Sequence, residues 1–199
     1  MNLTKYLLAT AITAALGSTA VQAADGTITF NGTVTNSACT AIASVTANST
    51  VTGSTPLNAT LTLPAVTADT LNAATGTYAG HTPFSIELTG CQVVAGLNNV
   101  RTLFTTASSP AGQPGVMANT ATTSPAANVA VAILPQSGTT QIDLNNGTNR
   151  DPGQALPAAA PAGTAGPVTL RYRAAYKSLS TGVTAGNVTG VADFVISYF

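Results

Sequence analysis

Along most of the chain, apolar residues alternate with Thr, Ser, Gly and Asn, and apolar runs at the helical period are nearly absent. The alternation predicts strands over Thr27–Thr35, Ala38–Val45, Thr60–Val66, Pro83–Thr89, Val100–Thr105, Asn128–Leu134, Thr140–Leu144, Val168–Lys177 and Val191–Phe199. Clusters of Gly, Pro, Asn and Thr punctuate them. Two stretches, Ser108–Ala127 and Asp151–Pro167, are rich in turn formers and small residues and are expected to be surface loops. No internal repeat interrupts the pattern. Many short strands with turn signals between them predict an all-β sandwich.

The first 23 residues follow a different pattern. Lys5 precedes a short apolar run from Tyr6 to Ala15, and Val21-Gln22-Ala23 supplies a small-x-Ala ending. That is the form of a secretory signal peptide, with cleavage expected after Ala23. A retained anchor is the alternative, but the run is short for a bilayer and no charged stop-transfer flank follows. The mature chain of 199 minus 23, or 176, residues is long enough for one domain with its own core.

The stretch Gly26-Thr-Ile-Thr-Phe-Asn-Gly-Thr-Val34 supports two readings. Asn31-Gly32 between alternating apolar residues is a strong hairpin signal. A hairpin, however, would pair Phe30 with Thr33 and Ile28 with Thr35, sending Val34 to the opposite face. A single strand keeps Ile28, Phe30, Gly32 and Val34 on one face. The strand reading is favoured, and it has a consequence of scale. The residues from Thr27 to Val45 would extend about 60 Å at roughly 3.3 Å per residue, more than the ~40–50 Å expected of a compact domain this size. Unless the run bends near Asn36-Ser37, one end projects as an apolar edge in search of a sheet.

Charge and chemistry narrow the function mainly by exclusion. Six Lys+Arg oppose six Asp+Glu over the whole chain, so removing Lys5 leaves five against six, a balance of −1. No basic patch or nucleic-acid motif appears, and nucleic acid is not an expected partner. Cys39 and Cys91 are the only cysteines, and an exported chain with two cysteines is expected to join them. A metal site lacks ligands, since His81 is the single histidine and there is no CxxC; no cofactor is expected. His81 is expected in a loop. Glu87 is expected on the solvated face of a strand whose Phe84, Ile86 and Leu88 point inward. Such a chain is poor in acid–base groups and carries no nucleophile-elbow or phosphate-cradling motif, so it is not expected to be an enzyme.

Several stretches taken together resemble a known family. Gly26 to Val34, followed by Asn36-Ser37-Ala38-Cys39, resembles the N-terminal extension and first cysteine of type 1-like chaperone–usher pilins. Phe84-Ser-Ile-Glu-Leu-Thr-Gly-Cys91 is similar to the family strand that ends in the second cysteine. Asn128 to Leu134 is similar to a later core strand. The C-terminal Ala192-Asp-Phe-Val-Ile-Ser-Tyr-Phe199, with penultimate Tyr198 and with Gly186 fourteenth from the end, completes the likeness. The resemblance implies an incomplete immunoglobulin-like sandwich over residues 36–199, completed by a donor strand from a neighbouring subunit. It assigns 24–35, with Ile28, Phe30, Gly32 and Val34, as the donor extension. Gly186, Phe194, Ile196, Tyr198 and Phe199 fall on the C-terminal strand read by a periplasmic chaperone. An outer-membrane usher and related pilin subunits are the other implied partners, and a cell-surface fimbrium reached through the periplasm the implied location. The expected function is a structural subunit, first a major shaft pilin and next a minor adaptor, supporting adhesion and biofilm formation. A secreted monomeric β-sandwich that binds carbohydrate or protein is the alternative. The two loops look longer and richer in Pro and Ala than the family pattern.

Overall fold

The computed structural model describes residues 38–39, 41–46, 49–52, 58–159 and 163–199, all within one unit spanning 36–199. Its elements are β1 (Ala41–Thr46), β2 (Ser49–Thr52), β3 (Asn58–Leu61), α1 (Ala68–Asn72), β4 (Tyr78–Cys91) and β5 (Asn99–Thr105). They continue with β6 (Met117–Ala118), β7 (Val129–Pro135), β8 (Gln154–Ala155), β9 (Gly166–Ser178) and β10 (Asp193–Tyr198). A five-stranded sheet has the order β1-β4-β9-β7-β6, a three-stranded sheet β10-β5-β8, and β2 and β3 form a hairpin. All ladders are antiparallel.

Periodicity explains which face each strand buries. Ile86 and Leu88 of β4, Val168, Leu170 and Tyr172 of β9, and Val131 and Ile133 of β7 project into one core. Val100 and Phe104 of β5 meet them from the second sheet, making a sandwich. Phe84, Phe104 and Tyr172 form its aromatic centre, the last two edge to face with centroids 5.1 Å apart. The five-stranded sheet also has a covered outer face, where Ala130, Ala132, Leu134 and Ala175 pack with Val116. β7 is therefore buried on both faces, which is why its sequence is a continuous apolar run rather than an alternation.

The expected disulfide is present. Cys39 lies just before β1 and Cys91 ends β4, and both are buried in the main core. Gln92 N donates to Ala38 O at 3.0 Å beside it. Other expectations are corrected. His81 is not in a loop: it lies within β4, exposed, at an irregularity of the β4–β9 ladder where Gly80 takes a positive φ. Glu87 is half-buried and sits opposite Ser44 of β1. Thr140–Leu144 is not a strand; only Ile142 bridges to Ile133, while the Gln141 side chain bonds to Tyr78, Lys177 and Gly115 and the Asp143 side chain accepts from Gln141 and Asn149. Of Thr60–Val66, only the first two residues are extended in β3. The chain then turns into α1, whose N-cap Thr67 side chain accepts from Thr70 N. The two expected loops contain the short strands β6 and β8, and the second also sends Leu156 into the core.

Candidate functional site

β10 ends its sheet. It is hydrogen-bonded to β5 on one side, in unbroken register from Asp193↔Thr105 to Tyr198↔Val100. Beyond it, Phe199 and Asn99 exchange both backbone bonds, at 3.0 and 2.9 Å. Hydrogen-bonded pairs alternate along an antiparallel ladder, so this exchange fixes the phase of the whole strand. Asp193, Val195 and Ser197 bond across to β5, while Phe194 and Ile196 aim their N–H and C=O groups away from it. Among the described residues no strand pairs with that outer edge.

The same alternation governs the side chains. Phe194, Ile196 and Tyr198 share the inward face and pack against the main core, whereas Asp193 and Val195 point to solvent. Their coverage is incomplete. Val100, Leu170 and Ile86 are each no more than 1% exposed, yet all three inward residues of β10 remain half-buried. Among the described residues, the core is incompletely covered along this strand.

Each end of the edge is held in place. Before β10, Asn187 N donates to Ser124 O (2.8 Å) and Asn187 O accepts from Ala126 N (3.0 Å). Gly186 makes this approach possible: a Cβ there would lie 2.5 Å from Ala126 N and 2.6 Å from Ser124 O. Asn119 staples the same two segments. Its Nδ2 donates to Ala126 O and Asn187 O, and its Oδ1 accepts from Ala121 N and Thr189 N. Beside Gly186 opens a cleft of about 620 Å³, lined among others by Val66, Leu71, Val129, Tyr176 and Val183. At the far end, Phe199 O accepts from the amides of Asn98 and Asn99. The Phe199 ring lies 4.5 Å beneath the Arg101 guanidinium and packs against Gly153, whose φ is +76°.

Behind the edge a buried polar bridge ties the two sheets. Asp151 Oδ2 accepts from the Tyr172 hydroxyl (2.5 Å) and from Thr102 N (3.0 Å), and its Oδ1 accepts from Gly153 N (3.0 Å). The Tyr172 hydroxyl also stands 2.9 Å from that of Thr102. Burial, reinforced by the Asp151 charge, drives the Tyr172 pKa far above the ordinary phenol value. His81 lies elsewhere and is exposed; slight desolvation by its neighbours and then the nearby Arg173 charge lower its pKa. Among the described residues no cluster of three His, Cys, Asp or Glu could hold a metal.

Of the residues expected on the C-terminal strand, Phe194, Ile196 and Tyr198 lie in β10 and Phe199 directly follows it, whereas Gly186 is not in the strand but precedes it, beside the cleft. Ile28, Phe30, Gly32 and Val34 lie outside the described residues. Asn119, Asp151 and Arg101 were not singled out by pattern. Their residue types suit turns and surfaces, and nothing local signals the bonds they make.

A model of the fimbrial protein family matches residues 28–199. The chain belongs to that family. As a fimbrial protein it is a structural rather than catalytic chain, which assembles with other pilin subunits into a surface fimbrium. Its fold is the incomplete immunoglobulin-like sandwich of that family. Among solved structures it is similar to the P pilus rod subunit PapA, with a TM-score of 0.51 and 16% identity over 77% of this chain and 100% of that one. A Burkholderia pseudomallei antigen and type I fimbria protein gives 0.49 and 23%, covering 75% and 88% of the two chains. The CupB6 tip adhesin from Pseudomonas aeruginosa gives 0.42 and 17%, covering 62% of this chain and 31% of that one. A comparison with curated proteins finds no significant match.

Proposed function

We propose that this fimbrial protein is the major shaft subunit of a chaperone–usher adhesive fimbria and polymerises by donor-strand exchange. The observation that carries the reading is the β10 edge, where Phe194 and Ile196 present backbone groups that no described strand shares, directly above a half-covered core. An added strand answers both needs at once. Its backbone completes the ladder at about 1 kcal/mol per bond, and its alternate side chains seal the core at roughly 1.5–3 kcal/mol each. Strand addition of this kind, including donor-strand complementation between pilins and chaperones, is a general mode of recognition.

The donor is the 24–35 segment of the next subunit, after removal of residues 1–23. Ile28, Phe30 and Val34 supply the inserted side chains, and Gly32 lies where the groove is shallow. A dozen residues extend about 40 Å, longer than the six-residue β10 alone, so the donor reaches past Asp193 toward Gly186. Before assembly a periplasmic chaperone occupies the edge and holds the Phe199 end, and an outer-membrane usher mediates the exchange. The fibre then supports adhesion and biofilm formation. The test is deletion of 24–35 from the mature chain. The truncated subunit should be captured by its chaperone with the disulfide formed, yet add no further subunit to a fibre in shear preparations. Normal fibres from that chain would exclude the mechanism.

A further inference from the structure

On the outer face of the five-stranded sheet, away from the assembly edge, several polar groups converge on one buried amide. Gln141 is 8% exposed. Its Oε1 accepts from Lys177 Nζ at 2.9 Å and from the Tyr78 hydroxyl at 3.1 Å. Its Nε2 donates to Asp143 Oδ1 at 2.9 Å and to Gly115 O at 3.4 Å. Two donors at one end and two acceptors at the other fix the orientation of the amide. The Asp143 carboxylate is itself held, since Oδ2 accepts from Asn149 N at 3.0 Å. Two glycines leave room for the pair. A Cβ at Gly115 would lie 2.6 Å from Asp143 Oδ1, and one at Gly147 would lie 2.3 Å from Asp143 Cβ. Tyr78 and Lys177 are direct cross-strand partners in β4 and β9, so their positions are set by the ladder.

These are the parts of an acyl transfer: an amine against a carboxamide, a donor on the oxygen where charge would develop, and a carboxylate on the leaving nitrogen. We propose that Lys177 and Gln141 form an intramolecular isopeptide bond. In this step the neutral Lys177 amine attacks Gln141 Cδ and the carbonyl electron pair moves to Oε1, stabilised by the Tyr78 hydroxyl. One proton passes from Nζ through Asp143 to Nε2. The Cδ–Nε2 bond then breaks and ammonia leaves with that electron pair as the carbonyl re-forms. One C–N bond is made and one is broken, and no oxidant or reductant takes part. Burial lowers the pKa of Lys177, opposed by the Asp143 charge, which favours the neutral amine the step requires. The product would bind the end of β9 covalently to the loop that follows β7.

The test is peptide mass spectrometry of the full mature chain purified from fibres. The expected result is a branched peptide joining Lys177 to Gln141, lighter by one ammonia than its two parts. Intact mass alone does not decide, because cyclisation at Asn146-Gly147 would also release ammonia. Lys177→Arg keeps the charge and should give only linear peptides. Asp143→Asn should slow cross-linking by about 100-fold or more, as expected for loss of a proton-transfer group. Recovery of Lys177 and Gln141 in separate unmodified peptides from the native chain, after prolonged incubation, would overturn the proposal. Undiminished cross-linking in Asp143→Asn would overturn the role given to Asp143.

Discussion

Tyr172 shows how much one side chain can join in this fold. Its ring belongs to the aromatic centre of the sandwich, and its hydroxyl donates to Asp151, which also receives Thr102 N from the opposite sheet. Tyr172→Phe keeps the packing but removes a donor from a buried carboxylate. The expected loss is about 1–3 kcal/mol in chemical denaturation, the cost of an unsatisfied buried polar partner. The pH dependence has a definite sign. The folded-state pKa of Tyr172 lies above its unfolded value of about 10, so the unfolded chain releases the phenolic proton first. The stability it contributes is complete below that pH and falls as the pH rises beyond it. The loss of stability above pH ~10 should therefore be shallower in Tyr172→Phe than in the native chain. An unchanged alkaline slope would show that Tyr172 is not the group responsible. None of this was legible in the alternation. Asp151-Pro152-Gly153 is turn chemistry, and burial of Asp151 depends on contacts 49 and 21 residues away along the chain.

At the scale of elements, the most informative strand is β10, an edge strand whose inward side chains lie over the main core. β10 combines a full ladder to β5 with an end pinned by Asn98, Asn99 and Arg101. Removing Ile196–Phe199 takes away both the anchored end and half of the outward backbone groups. The expected result is loss of chaperone capture and degradation in the periplasm, read as failure of the truncated chain to co-purify with the chaperone; normal co-purification would refute it. The long strands β4, β5, β7, β9 and β10 were legible because burial on one or both faces imprints alternation or an apolar run. The elements that escaped notice are short. β6 and β8 have two residues each, and the five-residue α1 is too brief to establish a period, though its Thr67 cap is a local signal. Thr140–Leu144 misled for the opposite reason. Its alternation is real, with Ile142 and Leu144 buried in the core, but beyond the single Ile142–Ile133 bridge its backbone bonds go to loops, from Asp143 N to Asn149 O and from Leu144 N to Gly115 O.

For the whole molecule, the question is whether the segment around Gly32 acts inside its own subunit or in the next one, and one substitution separates the two. Were Asn31-Gly32 a hairpin turn, Gly32 would be needed for its positive φ, and replacement would damage the subunit that carries it. As part of a donor strand, Gly32 instead faces a shallow part of a neighbour's groove, and a large side chain meets resistance only at the joint between subunits. Gly32→Leu should accordingly yield a chaperone-bound subunit with native thermal stability and an intact Cys39–Cys91 bond that fails to form fibres. A peptide of residues 24–35 should reverse the dependence. Added to subunits whose β10 edge is vacant, it should raise their melting temperature, because Ile28, Phe30 and Val34 would cover the half-exposed Phe194, Ile196 and Tyr198. The same peptide with Leu in place of Gly32 should bind more weakly and protect less. The two measurements bear on each other: a steric block confined to the joint predicts an assembly defect and a weakened peptide together. Normal fibres from Gly32→Leu, with no stabilisation by the native peptide, would return the segment to its own subunit and leave the β10 edge to another partner.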